Sequence, residues 1–281
     1  MELDTKNGTN IGEINGLKIE IPVEITADLS ETINNVYEDA LSPGTKGIGK
    51  TFGIISNFFN NTVLLPMQKY NLYAEDKLRQ YAIQLENKAK EEIPIENLIE
   101  PKINILGNTL EALKYNFNEE NIKEMFTNIL ISNIDNRKQN KVLPSYINVI
   151  KELSKEDAIL LKKFKDNNCN AFYMIQLRCK SNNSNGYKYL DKYICTHYER
   201  KENTVGFSSL KLNELVIDNL QRVGLIKIDF EYAFTDMPEI YNKLEKSCIP
   251  QQNDSYLEYS STHGIFSLTE YGKNFIDICL S

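Results

Sequence analysis

A chain of 281 residues, 41% hydrophobic and 25% charged, has the composition of an ordinary soluble globular protein and is long enough to bury a sizeable core without staples. Its net charge of -7 gives no general attraction for polyanions. No apolar run approaches the roughly 20 residues a transmembrane helix needs, and the start, MELDTKNGTN, carries no basic stretch followed by an apolar one, so a cytoplasmic location is expected.

After a mostly polar first ten residues, Leu17, Ile19, Ile21, Val23 and Ile25 alternate with Lys18, Glu20, Pro22 and Glu24, the period of a half-buried strand. Asn15-Gly16 suits a hairpin turn, and Pro22 makes it an edge strand. A short helix follows to Leu41, broken by Ser42-Pro43-Gly44. Ile48, Phe52, Ile55, Phe59 and Val63 then recur at helical spacing, and Met67 to Ile93 predicts a long amphipathic helix. The stretch IPIENLIEP is a connector with prolines at 94 and 101. Helices follow through Ile105–Tyr115, from Asn118, and from Pro144; Ser154 with Asp157 predicts a capping box for one through Phe164. Near residue 166 the pattern changes. AFYMIQL and DKYICTHY predict strands, residues 208–223 a helix ending at Gly224, and LIKI a strand; after a long polar stretch comes GIFSL, then Leu268-Thr269-x-x-Gly272 opening a C-terminal helix.

GTKGIGKT, residues 44–51, matches the phosphate-binding pattern G-x-x-x-x-G-K-[ST]. That chemistry needs a buried strand directly before the first glycine, so that backbone N–H groups wrap the phosphates while Lys50 and Thr51 reach phosphate and magnesium. The preceding residues read as a helix and a break, and the match is taken as chance. The cysteines, Cys169, Cys179, Cys195, Cys248 and Cys279, are odd in number and read as reduced thiols. Cys195-Thr-His197 lacks the paired partner of a structural zinc site. No catalytic, cofactor-binding or metal-binding residue is assigned, and no cofactor is expected.

From Leu65 onward the chain resembles the bacterial abortive-infection alpha family, on Pro66, Ile93-Pro94, Glu96, Leu98, Glu100-Pro101, Gly107, Glu111 to Tyr115 and Glu124-Met125-Phe126, with VLPSYINVIKELSKEDAILL further on. The likeness covers most of residues 44–166 and continues more weakly beyond. Relatives would carry His before the proline of VLPSY, where this chain has Leu143. The resemblance implies defence against phage and supplies no mechanism.

The expected architecture is mainly α: an N-terminal arm with a β hairpin or edge strand (1–28), a helical body (29–152) and a winged-helix-like α+β domain (153–281). Four functions compete. The first is a non-enzymatic protein acting through protein contacts or self-association. The second is a membrane-active effector using the amphipathic segment 48–65. The third is a DNA-binding winged helix, which the acidic balance of helix 208–223 and wing 230–262 disfavours. An enzyme using Glu96, Glu100, Glu111, Glu119 or Glu124 is the remaining class. The candidate contact surface is Pro94, Glu96, Glu100 and Pro101 on the connector, with Tyr232, Phe234 and Tyr241 on the wing.

Overall fold

A computed structural model describes residues 5–6, 9–14, 17–22, 46–64, 72–181, 186–201, 204–250 and 257–280. The chain divides into two compact units, Met1–Glu111 with Leu130–Asn140, and Ala112–Ile129 with Lys141–Ser281. The helix expected before Ser42 lies outside the described residues.

In the first unit, β1 (Thr5–Lys6), β2 (Thr9–Ile14) and β3 (Leu17–Pro22) form a small antiparallel sheet in that order. Helix α1 (Lys46–Phe59) continues into a π-helical turn, Asn60–Leu64. Its Phe52, Ile55, Phe59 and Val63 are buried, as are Tyr81, Leu85 and Ala89 of α2 (Leu72–Glu92). The Phe59 and Tyr81 rings lie 6.0 Å apart. The described part of that apolar stripe, from Phe52 to Val63, is therefore core, the usual fate of an amphipathic face. Among the described residues no helix is long and apolar enough to cross a membrane. The unit boundary falls within α3 (Ile103–Asn116) and again within α4 (Glu120–Ser132).

The second unit is built on a five-stranded antiparallel sheet. Its strands are β4 (Ala171–Ser181), β5 (Lys188–Lys201), β6 (Thr204–Lys211), β7 (Ile226–Asp229) and β8 (Leu257–Leu268), in the order β6-β5-β4-β8-β7. The helices are α5 (Ser145–Glu152), α6 (Lys155–Asp166), α7 (Glu214–Arg222), α8 (Pro238–Cys248) and α9 (Glu270–Cys279). Strand β4 is central and has apolar residues on both faces, as a covered strand must. Phe172, with its β8 partner Phe266, meets Phe164 of α6 at 4.7 and 5.5 Å between ring centres. On the opposite face Ile175 and Leu177 pack with Cys195 and with Ile240, Tyr241 and Leu244 of α8.

Local signals place several ends. Ser154 Oγ accepts the Asp157 N–H at 3.1 Å while Asp157 Oδ2 accepts the Ser154 N–H at 2.7 Å, a reciprocal cap. Thr269 Oγ1 accepts the Gly272 N–H at 2.9 Å and donates to the Gly224 carbonyl at 2.6 Å. A Cβ on Gly272 would sit 2.0 Å from the Leu225 carbonyl oxygen, so the spacing Thr269-x-x-Gly272 is a cap plus a close backbone approach.

The class, however, is α+β, which corrects the mainly α expectation. The long strands of the C-terminal half set it, and two local misreadings concealed them. Residues 208–211 belong to edge strand β6, and α7 starts only after Asn213, whose side chain accepts the Leu215 N–H at 3.0 Å. Residues 230–262 are not one extended wing, because α8 occupies 238–248. Pro238 stands at its first position, where the missing N–H costs nothing, and Ile240, Tyr241, Leu244 and Cys248 repeat at helical spacing.

Candidate contact surface

The connector of the first unit turns its polar groups inward. Ile99 N–H donates to the Ile134 carbonyl at 2.9 Å, and Asn136 N–H to the Asn97 carbonyl at 2.9 Å, so residues 97–99 run against 134–136. Gln139 Nε2 donates to the carbonyls of Glu100 and Asn133, both at 2.8 Å. The buried Asn133 side chain accepts from Lys102 N–H and donates to the Lys102 carbonyl. Asp135, 1% exposed, accepts from Arg137 Nε at 2.9 Å, from Nη2 at 2.6 Å and from the Arg137 N–H at 2.9 Å. Burial pushes the Asp135 carboxyl up, but the Arg137 bonds and charge outweigh that and hold it below its ordinary value. Arg137 also donates to the Glu92 carbonyl at 3.1 Å.

Of the expected connector residues, Pro101 is buried, while Pro94, Glu96 and Glu100 are exposed. Glu100 is paired with Lys50, Nζ to Oε1 at 2.5 Å. Thr51 is buried and its hydroxyl faces the Ile99 carbonyl at 3.5 Å. Gly47, Gly49, Lys50 and Thr51 all lie inside α1, which already begins at Lys46. Residues 46–51 are therefore already helix, where the phosphate-binding pattern needs them as a glycine-rich loop ahead of the helix.

In the second unit the loop between β7 and α8, Phe230 to Met237, is tied at several points. Asp229 Oδ1 accepts the N–H groups of Glu231 at 2.8 Å and Tyr232 at 3.2 Å, an Asx-type turn. Phe234 N–H donates to Tyr241 Oη at 3.0 Å, and Tyr241 donates onward to the Gly264 carbonyl at 3.0 Å. Tyr173 Oη donates to Asp236 at 2.7 Å. The Phe234 ring packs on Tyr173 at 4.7 Å, and Tyr241 stacks on His263 at 4.3 Å and 7°. Burial raises the Tyr241 phenol, and the Phe234 N–H bond lowers it in part. Burial also raises the Tyr173 phenol, reinforced by its bond to Asp236. Gly264 has no room for a side chain, since a Cβ would lie 2.6 Å from the Phe230 ring and 2.7 Å from the Asp229 carbonyl.

The three aromatic residues expected on this surface separate accordingly. Tyr241, 1% exposed, is core; Phe234 is the half-buried anchor; Tyr232, 67% exposed, points to solvent with Met237 nearby in sequence. Asp229, Tyr173 and Asp236 shape the loop, a role that the sequence reading does not give them. The signal available was Asp229 three residues before Tyr232, followed by Pro238 as a helix start.

The exposed side of α7 and its flanks carries cations already matched to carboxylates. Lys211 pairs with Asp191 at 2.8 Å, Lys192 with Glu214 at 2.7 Å and Arg222 with Glu152 at 2.6 Å. Cys195 is buried and its thiol donates to the His197 carbonyl at 3.3 Å; burial pushes that thiol up, partly offset by the bond. Among the described residues, no three His, Cys, Asp or Glu gather closely enough to hold a metal ion.

A family model described as abortive infection alpha matches residues 73–279. No curated protein and no solved structure matches the chain.

Proposed function

The chain belongs to the abortive infection alpha family, and from that premise we propose that it acts in the bacterial cytoplasm, in defence against phage, by contact with a protein partner rather than by catalysis. The contact is made by the loop Phe230 to Met237. The observation that carries this reading is an exposed aromatic side chain, Tyr232, on a backbone held by Asp229, Tyr241 and the Tyr173–Asp236 bond. Exposed aromatics on a pre-ordered backbone make efficient interface anchors, because little conformational freedom is lost when they bind. Glu231, Asp236 and Glu239 follow or flank it in sequence, a negative stretch that favours a basic partner surface. Arg222 of α7 and the flanking Lys192 and Lys211 already have carboxylate partners, which supports protein contact over a DNA groove for that helix.

The test is phage plating on bacteria expressing the wild type, Tyr232→Glu or Tyr115→Ala, the last altering an exposed tyrosine away from the loop. Protection by wild type and Tyr115→Ala, with loss in Tyr232→Glu at equal soluble protein, is expected. Full protection by Tyr232→Glu removes the loop from the mechanism.

A further inference from the structure

Strands β4 and β5 are the basic part of an acidic chain. Residues 171–201 hold six Lys and Arg against two carboxylates, in a protein of net charge -7, and five of its tyrosines. Such local reversal of charge is the footprint of an anionic partner. The sheet register sorts these side chains onto faces. Residues directly opposite each other in neighbouring strands share a face, and alternate residues along a strand do too. Arg178 stands opposite Tyr189 of β5 and Ser260 of β8, Lys180 opposite Glu258, and Gln176 opposite Lys192 and Thr262. These positions alternate with Ile175 and Leu177, which pack under α8, so they occupy the sheet face away from α8.

That face is arranged rather than merely charged. Arg178 Nε donates to Ser260 Oγ at 3.0 Å, which steadies the guanidinium 4.3 Å from the centre of the Tyr187 ring. Lys180 Nζ lies 5.9 Å from the same ring. Tyr187 is 46% and Tyr189 61% exposed, although tyrosine is a side chain that folding usually covers at least in part. Gln176, Ser260 and Thr262 complete a polar surface that offers hydrogen bonds and no apolar groove for a helix. Glu258 stands on it opposite Lys180, and Glu214 bonds Lys192 at 2.7 Å.

We infer that this face binds single-stranded nucleic acid, with bases stacked on Tyr189 and Tyr187 and phosphates held by Arg178 and Lys180. Exposed tyrosines flanked by cations on an open sheet are what unstacked bases and their backbone require. A duplex keeps its base faces covered and can use only the cations, so strandedness separates stacking from plain charge attraction. The inference concerns a surface distinct from the loop at 230–237 and does not rest on the proposal made for that loop.

The experiment is fluorescence anisotropy of the full chain with labelled oligouridine, oligothymidine and a DNA duplex of equal length, over a series of salt concentrations. Binding of a single strand, roughly tenfold or more tighter than the duplex, is expected, with RNA and DNA arms showing which sugar is preferred. Tyr189→Ala should weaken it roughly tenfold at unchanged salt slope. Lys180→Glu with Arg178→Glu should flatten the log–log salt slope by about 1.4, two phosphate contacts on a single strand. Thermal melts verify folding, and if the double charge reversal unfolds, Lys180→Glu alone should flatten the slope by about 0.7. No single-strand binding, equal binding of duplex or polyphosphate, or unaltered binding by Tyr189→Ala each overturns the inference.

Discussion

The connector around Pro94 to Pro101 and the loop from Phe230 to Met237 look alike as sequence: each mixes acidic and large apolar residues in a short segment between helical or strand elements, with a proline at its end. Their physical states are opposite. The connector's backbone is bonded to residues 133–139, and its most distinctive polar groups close on Lys50, Gln139 and Asn133. The 230–237 loop is bonded to its own sheet and helix, and that anchoring leaves Tyr232 outside. Fixed prolines and exposed glutamates therefore say little about contact. What distinguishes a presenting loop is that its anchors are satisfied beneath it while a large side chain stays uncovered.

The largest expected effect breaks the connector's side of that contrast. Asp135→Ala removes the buried acceptor of Arg137 and should cost about 2–3 kcal/mol in urea unfolding. An unchanged midpoint would mean that the 133–139 bracing is incidental. The same carboxyl gives a pH signature. Its folded value is depressed below the ordinary 3.8, so its contribution is complete above that value and is lost as pH falls through the lower folded one. The stability gap between wild type and Asp135→Asn should hold steady from pH 7 to about 5 and narrow below about pH 4.

A smaller effect tests the loop. Gly264→Ala places a Cβ against the Phe230 ring and the Asp229 carbonyl; it should cost about 1–3 kcal/mol and displace the loop. Loss of phage protection at a temperature where the variant remains folded is the expected readout. Tyr241→Phe keeps the packing on His263 and deletes the hydroxyl that joins Phe234 to Gly264. About 1–2 kcal/mol is expected for leaving those two groups unpaired, together with faster amide exchange at Phe234. Lys50→Ala should be nearly silent, within about 0.5 kcal/mol, because both members of the Lys50–Glu100 pair are more than half exposed. A large loss of stability there, or of any nucleotide-dependent thermal shift in the wild type, would reopen the glycine-rich stretch.

Much of the candidate surface was legible and much was not, for reasons visible residue by residue. Tyr232, Phe234 and Tyr241 were read as one aromatic cluster, which they are in sequence; whether a ring faces in or out depends on the register of α8 over the sheet, and that is set by Ile240 and Leu244 meeting Ile175 and Leu177. Lys50 and Glu100 were read separately, as a solvated charge and a contact charge, because nothing local joins positions fifty residues apart. The basic face of β4 and β5 was missed because the electrostatics were weighed over residues 208–223 and 230–262. The six cations between 171 and 201 are readable in sequence, but the placement of Arg178 and Lys180 beside Tyr187 and Tyr189 on one face requires the pairing of three strands.

The sequence by itself determined what short-range chemistry decides: the Ser154–Asp157 cap, the Thr269–Gly272 helix start, the apolar stripe of α1, the central strands, and membership of the abortive infection alpha family through a pattern spread over residues 73–279. The tertiary structure alone decided that 204–211 is an edge strand, that α8 interrupts the supposed wing, that the class is α+β, and which polar groups face inward. Caps and periodicities act over about four residues and are written in order along the chain. Sheet partners, ion pairs and burial depend on groups brought together from distant positions, where packing outweighs local propensity.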